Sequence, residues 1–308
     1  MEKKVALIFG GSGQDGTLMS ELLLQKGYKV YSISRSLKKN KNKNNYSIKY
    51  LKINYYNNNE IKKIISKTNC AEIYYFAGQP SLRISYQKEF ETIKSHSLPL
   101  YYILDAVCNI KKRKVKIFNA GSGLIFKNDN KIIDEDSLLY PISPYAFGKL
   151  ISFNLIKYFR ENHGMHCFTG IFFNHESFLR SKDHLLPKII NFLKNKDYLK
   201  KKLILGDINI KRDWGWAPEY MKIIFNLMKK NNVNDLIIAT GKSVSIKFIL
   251  EYLFNKFNLN WKDHVIFSKK FLIKSEAKVT QVSIKKLKKF SSFYPRINIT
   301  QILDMLSK

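Results

Sequence analysis

The strongest constraint on this chain is its first turn, Gly10-Gly11-Ser12-Gly13-Gln14-Asp15-Gly16. The run before it, Lys4-Val5-Ala6-Leu7-Ile8-Phe9, is short and apolar, which predicts a parallel strand buried on both faces. Behind it Leu18, Met19, Leu22, Leu23 and Leu24 recur at helical spacing until Gly27 stops the helix. Glycines let a backbone approach a pyrophosphate, and a helix N-terminus adds unpaired N–H groups and partial positive charge. The spacing is G-x-x-G-x-x-G rather than G-x-G-x-x-G. Its place between a strand and a helix still predicts a dinucleotide cofactor held by Gly10, Ser12, Gly13, Gln14, Asp15 and Gly16.

The first half keeps a strand–helix rhythm. A second strand, Lys29-Val30-Tyr31-Ser32-Ile33, ends at Ser34-Arg35-Ser36, where a dinucleotide fold meets the adenosine ribose. An acid there would select NAD and a basic residue could accept the phosphate of NADP. With only Arg35 present, for which the adenine face is an alternative place, this feature leaves the choice open. A third strand near 48–53 leads through Asn54 to a helix carrying Ile61, Ile64 and Ile65. The fourth, starting at Glu72, ends in Phe76-Ala77-Gly78, expected at the cofactor edge, with Gln79 and Ser85 expected on the substrate side. After a helix containing Leu98, Leu100, Tyr101, Leu104, Ala106 and Val107, a fifth strand runs from Val115 to Ala120 and ends in Gly121-Ser122-Gly123. This order predicts an α/β fold: a doubly wound parallel (Rossmann) sheet with a smaller mixed α/β lobe.

The chemistry is expected further on. Ser143-Pro144-Tyr145 opens a helix in which Tyr145 and Lys149 stand at i and i+4 and share a face. A lysine ammonium there would stabilise a phenolate and lower the tyrosine pKa, giving a proton shuttle near neutral pH. Ser122, at the end of the preceding strand, could hold the reacting oxygen beside it.

Composition narrows the partners. The formal net charge is +30, but lysine travels with asparagine throughout, as in Lys38-Lys39-Asn40-Lys41-Asn42-Lys43-Asn44-Asn45. That pattern reads as coding bias, and with no nucleic-acid motif beside it no nucleic-acid partner is expected. No apolar run approaches the roughly 18 residues of a membrane span, so no membrane insertion is expected. The cysteines Cys70, Cys108 and Cys167 fit no metal spacing, and no metal site is expected. With a strand at the N-terminus and no signal peptide, a cytoplasmic protein with reduced thiols is expected.

Taken together, these residues resemble the extended short-chain dehydrogenase/reductases acting on nucleotide sugars, and within them the GDP-mannose 4,6-dehydratase-like branch. The likeness runs through the glycine turn, Ser143-Pro144-Tyr145 to Lys149, Phe173-Asn174-His175-Glu176-Ser177, Arg212-Asp213-Trp214-Gly215 and Ile237-Ile238-Ala239-Thr240-Gly241. The resemblance implies that Tyr145 is the catalytic base, that Lys149 is its pKa partner and a nicotinamide-ribose ligand, and that Ser122 bonds the sugar 4-hydroxyl. It also implies that Asn174 and Arg212 hold the substrate diphosphate, with Lys188 nearby. Lys274 and Glu276 are loose counterparts of the family's ribose-binding pair. The sheet domain is expected to take residues 1–172 plus 210–241, and the nucleotide-sugar lobe 173–209 plus 242–308. Within the lobe Phe248, Ile249, Tyr252, Leu253 and Phe257 are expected to form one buried helix face.

Two departures change the expected reaction. The dehydratases carry Thr-Ser-Glu where this chain has Ser122-Gly123-Leu124. Eliminating water after C4 oxidation needs an acid and a base, and leucine is neither. Asp134 and Glu135 lie close by, although their spacing does not recommend them as substitutes. Only Arg35 remains of the family's paired arginines, and Asn54 stands where an acid usually meets adenine, which favours NAD over NADP. The loop after Arg35, which helps build a tetramer in the dehydratases, is reduced to the Lys/Asn run, so a homodimer through helices near 98–110 and 146–162 is expected. The expected activity is oxidation at C4 of a GDP-linked sugar, of GDP-manno-heptose or GDP-mannose type, without dehydration. A 4,6-dehydratase with a relocated acid/base and a GDP-4-keto-sugar reductase are the alternatives.

Overall fold

The computed structural model describes residues 3–36, 48–110, 114–268 and 279–308. The first half alternates strand and helix: β1 Val5–Phe9, α1 Gln14–Gln25, β2 Lys29–Ser34, β3 Ile48–Lys52, α2 Asn58–Thr68, β4 Glu72–Tyr75, α3 Leu82–Ser85, α4 Glu89–Cys108 and β5 Lys116–Ser122. A short β6, Ile132–Ile133, precedes α5 (Pro144–His163), β7 (Cys167–Phe172), β8 (Asn174–Glu176) and α6 (Leu185–Lys194). Then follow β9 Leu203–Leu205, β10 Lys211–Trp216, α7 Ala217–Met228, β11 Leu236–Ile238, β12 Ser243–Ser245 and α8 Ile246–Lys256. The chain closes with β13 Val265–Phe267, β14 Gln281–Val282, α9 Lys285–Phe290 and α10 Ile299–Ser307.

Seven strands form the main sheet in the order β11-β7-β5-β4-β1-β2-β3, and every pairing is parallel. The expected doubly wound sheet is present. Alternation along β1 explains its layers. Ala6 and Ile8 face a core shared with Met19 and Leu23 of α1 and with α7, whereas Leu7 and Phe9 face the opposite core with Ile61 of α2, Leu100 of α4 and Ile156 of α5. Full burial of a side chain such as Ile8 or Leu7 contributes about 2 kcal/mol. From β1 the chain winds outward through β2 and β3, then crosses back to place β4 on the other side of β1. The connections leaving the C-terminal ends of β1 and β4 therefore run in opposite directions, which opens the crevice where such sheets bind ligands.

The smaller lobe has its own core. Leu186, Ile189 and Leu193 of α6 meet Trp214 of β10, Ile249 and Leu253 of α8 and Leu303 of α10. Its sheet has the order β12-β10-β8, with β8 parallel and β12 antiparallel to β10. Stretch 210–241 is divided by these contacts: β10 joins the lobe sheet, while α7 and β11 pack in the main core together with Leu287 of α9. The buried face of α8 is Ile249, Leu250, Leu253 and Phe254, which corrects the expected set. Phe248 is 38% exposed and stacks on Tyr252 instead, one turn along the helix and beside the buried stripe. Only Phe173 separates β7 from β8, so the main sheet feeds the lobe directly at the crevice. Among the described residues no helix is long and apolar enough to cross a membrane.

Candidate active site

The glycine turn is fastened at the crevice by backbone and by one tyrosine. Gly10 has φ +86°, and a Cβ there would lie 2.7 Å from the Ala77 nitrogen, so the turn and the end of β4 touch backbone to backbone. A Cβ on Gly16 would stand 2.3 Å from the Gly10 carbonyl oxygen, which is how the first turn of α1 packs against the loop. The amides of Gly10 and Gly11 both donate to the Ile33 carbonyl at 3.0 Å. The buried Tyr55 hydroxyl donates to the same carbonyl at 2.6 Å and accepts from the Gly10 amide at 2.8 Å. Gly13 is the N-cap of α1, and Ser12 beside it is exposed. The N-terminus of α1 thus lies open at the crevice, as a diphosphate requires. Arg35 and Asn54 are exposed where β2 and β3 end, and Asn54 Oδ1 accepts from the Tyr56 amide at 3.0 Å.

Helix α5 brings the catalytic candidates together. Ser143 caps it by accepting from the Ala146 amide at 3.1 Å, and Pro144 suits the first turn because its missing N–H would be unpaired there. Tyr145 and Lys149 face the end of β5, where Lys149 Nζ donates to the Ala120 carbonyl at 2.7 Å. Ser122 is the last residue of β5, nearly buried, and its hydroxyl accepts from the Leu124 amide at 3.3 Å. Burial raises the Tyr145 pKa above 10.0, opposed by a hydrogen bond with Ser122 and by the Arg180 charge. This corrects the expectation that Lys149 sets a low pKa. The ammonium is engaged with Ala120 and lies 5.8 Å from the phenol ring centroid, while desolvation dominates. Burial itself lowers Lys149 to about 8, partly offset by Asp15.

His96 on α4 completes this corner. Its ring stands edge-on to Tyr145 at 5.1 Å, and its Nε2 lies 3.0 Å from the Gln79 carbonyl. Gly78 has no Cβ, and one built there would lie 2.1 Å from His96 Nδ1. Burial and the Lys149 charge hold the His96 pKa well below 6.5, so the ring is neutral. Phe76, Ala77 and Gly78 therefore form the wall between the glycine turn and Tyr145. The Gln79 side chain accepts from the Ser81 amide at 2.5 Å while its Nε2 is buried with no hydrogen-bond partner. The Ser85 hydroxyl is turned to its own helix, donating to Leu82 at 2.6 Å.

The remaining substrate candidates come from the lobe. Asn174 opens β8 and is paired in register with Trp214. Lys188 on α6 donates to the Ile204 carbonyl at 2.8 Å, and its pKa is lowered by burial and by Arg83 of α3. Arg212 donates to the Lys211 carbonyl at 2.8 Å, and its neighbour Asp213 points away into the protein, where Thr240 and Lys242 occupy its oxygens at 2.8–3.1 Å. Arg212 and Asp213 thus occupy opposite faces of β10, and Trp214 lies in the lobe core. Lys274 and Glu276 lie outside the described residues.

Comparison with known proteins places this geometry. A family model of GDP-mannose 4,6 dehydratase matches residues 7–306. The chain belongs to that family. GDP-mannose 4,6 dehydratase 1 of Arabidopsis thaliana is 28% identical over 323 residues, covering 99% of this chain and 89% of the relative. The Dictyostelium discoideum enzyme is 31% identical, covering 84% of this chain and 77% of its own. Among solved structures, UDP-glucose 4-epimerase of Thermotoga maritima superposes with a TM-score of 0.87 at 16% identity, covering 98% of this chain and 97% of that one. UDP-glucuronic acid 4-epimerase of Bacillus cereus, in complex with UDP-glucuronic acid and NAD, gives 0.85 at 19% identity, covering 97% and 96%. At those identities the structural likeness speaks for the fold.

Within this GDP-mannose 4,6 dehydratase-family fold, Leu124 is 46% exposed in a 3-10 turn directly after Ser122. The two acids that follow in the chain are engaged by local partners. Glu135 accepts from the Ile237 amide at 2.9 Å, and Asp134 accepts from the Ser137 hydroxyl at 2.8 Å. Five polar residues near the site had been given no individual role by sequence reasoning: Tyr55, His96, His175, Glu176 and Arg180. The last three belong to or follow the Asn-His-Glu-Ser segment, whose composition alone could have marked them. Tyr55 and His96 carry no such signal. Glu176 is buried, 3.7 Å from Arg180 Nε, and burial raises its pKa to about 7 against the pull of Arg180 and His175.

Proposed function

We propose that this member of the GDP-mannose 4,6 dehydratase family oxidises C4 of a GDP-linked sugar of manno-heptose or mannose type to the 4-keto sugar and does not dehydrate it. Leu124 carries this reading: an exposed alkyl side chain stands next to Ser122, where the dehydratase pattern has a carboxylate. The α1 N-terminus, the Gly10–Ala77 approach and the small residues closing β4 fit a dinucleotide, and Arg35 without a second arginine favours NAD over NADP. When bound, that cofactor supplies the hydride acceptor. Ser122 would hold the 4-hydroxyl, and Tyr145 would take its proton. Lys149 would hold the ribose, and Asn174, Lys188 and Arg212 would carry the substrate diphosphate. A homodimer through α4 and α5 is part of the same reading, supported by the exposed Tyr101, Phe147, Ile151 and Tyr158 on those helices.

One observation favours the second reading, a 4,6-dehydratase with a moved acid. Glu176 is the carboxyl whose pKa, about 7, suits proton transfer, and its Oε2 has no hydrogen-bond partner. Turnover of GDP-mannose and GDP-manno-heptose with NAD in deuterated water separates the readings. The proposal expects NADH and a 4-keto sugar that retains its 6-hydroxyl. A 6-deoxy-4-keto product carrying solvent deuterium at C5, with the C4 hydride returned to C6 and no net NADH, would overturn it. Turnover of a 4-keto sugar with NADH, but none in the forward direction, would identify a reductase.

A further inference from the structure

The cofactor turn is tied to the lobe by a cluster of polar side chains that cofactor contacts leave unexplained. His175 on β8 places Nε2 3.0 Å from both carboxylate oxygens of Asp15 and Nδ1 2.8 Å from the Phe173 carbonyl. Both partners accept, so the ring satisfies them only with an N–H at each nitrogen, as an imidazolium. Phe172 meets the ring edge-on at 5.0 Å, and Tyr220 stacks on it at 5.1 Å. Gln14 crosses the same junction, donating to Asp15 at 3.1 Å and accepting from the Ser177 hydroxyl at 2.8 Å.

The charge of Asp15 matters because of where it stands. It lies in the first turn of α1, the end that faces a bound diphosphate. An uncompensated carboxylate there would oppose the anion that the helix end attracts. It also acts on the catalytic pair, raising both Tyr145 and Lys149. The other titratable groups facing this cluster are Arg180 beyond β8, His184 at the start of α6, Glu176 on β8 and Tyr220 on α7. The Asp15 and His175 side chains are only 19% and 10% exposed, so water screens the pair little.

We propose that His175 is a charge-balancing positioning residue: its imidazolium cancels Asp15 beside the diphosphate end of the cofactor site and ties that turn to the strand carrying Asn174. The inference rests on a dinucleotide binding at the turn and is indifferent to whether the reaction dehydrates. It is tested by NADH titration of the full-length protein. H175Q exposes Asp15 and weakens NADH binding on the order of tenfold, the effect of a unit charge acting across a partly screened site. D15N/H175Q removes that charge and restores affinity, a rescue that a purely structural tie would not give. H175Q binding like wild type, or a double variant no tighter than H175Q, would overturn the proposal. Nitrogen NMR of labelled histidine in the wild type reads the charge directly and needs no variant to fold. Two protonated ring nitrogens at pH 7 support the balance, and a neutral tautomer refutes it. Wild type that binds no NADH while showing the doubly protonated ring would instead sink the cofactor reading.

Discussion

Glu176→Gln offers the sharpest test of how this site is built. Glu176 is 1% exposed, and its nearest cation is Arg180 at 3.7 Å. Burial lifts its pKa from 4.5 to about 7, against Arg180 and His175, which lower it. Because the folded value is raised, the stability this group contributes is fully present below 4.5 and is lost as the pH rises through about 7. A shift of that size corresponds to about 3 kcal/mol once the group is ionised. Glutamine has nearly the same shape and does not titrate. The stability of E176Q relative to wild type should therefore stay level below pH 4.5 and climb by about 3 kcal/mol between there and pH 8. Urea unfolding followed by circular dichroism at a series of pH values measures it. A difference that stays constant across that window would refute the assignment of a buried, uncompensated carboxyl. The same variant informs the chemistry, since loss of a 6-deoxy product only in E176Q would make Glu176 an acid of the reaction.

Three other outcomes are expected. Tyr145→Phe should lower turnover by roughly 10²–10⁴-fold while leaving NADH affinity near wild type, because only the proton-transfer oxygen is lost; full turnover would exclude Tyr145 as the base. Lys149→Met should stabilise the protein near pH 7 even as it loses activity. The folded lysine pKa is depressed from 10.5 to about 8, so its contribution is present above 10.5 and lost as pH falls through 8; thermal melts should show the variant's advantage shrinking between pH 8 and 10. Gly10→Ala should abolish NADH binding and lower the melting temperature, since its Cβ would meet the Ala77 backbone at 2.7 Å and its φ is +86°; unchanged binding would show that this contact can give way.

The main sheet was legible because its signals are local. The inner strands are short runs that are largely buried, so β1, β2, β4 and β5 stand out as apolar segments, whereas edge strand β3 exposes Lys49, Tyr50 and Lys52, and the glycine turn marks the crevice. The pair Tyr145 and Lys149 was legible because helical periodicity alone puts them on one face. Less legible were residues whose local pattern is ambiguous. Phe248 fits the apolar face of α8 by spacing, yet the lobe takes Leu250 and Phe254 in that core. The tyrosine–lysine spacing says nothing of desolvation, which is why the Tyr145 pKa runs opposite to the sequence expectation.

By itself the sequence determined the class of fold and the place of the glycine turn, and it put Tyr145 and Lys149 on one helix face; these follow from residue type at short spacing. That Leu124 stands where the dehydratases carry a carboxylate is legible only against the family pattern. Only the tertiary structure decided which polar groups share a desolvated space. His96 reaches Tyr145 because glycine at position 78 leaves room for its ring. Asp15 and His175 meet although they are 160 residues apart, and no local periodicity records such a contact. Their pairing exists because the fold brings the first turn and β8, one residue beyond β7, to one crevice, where low water content makes each charge depend on its partner.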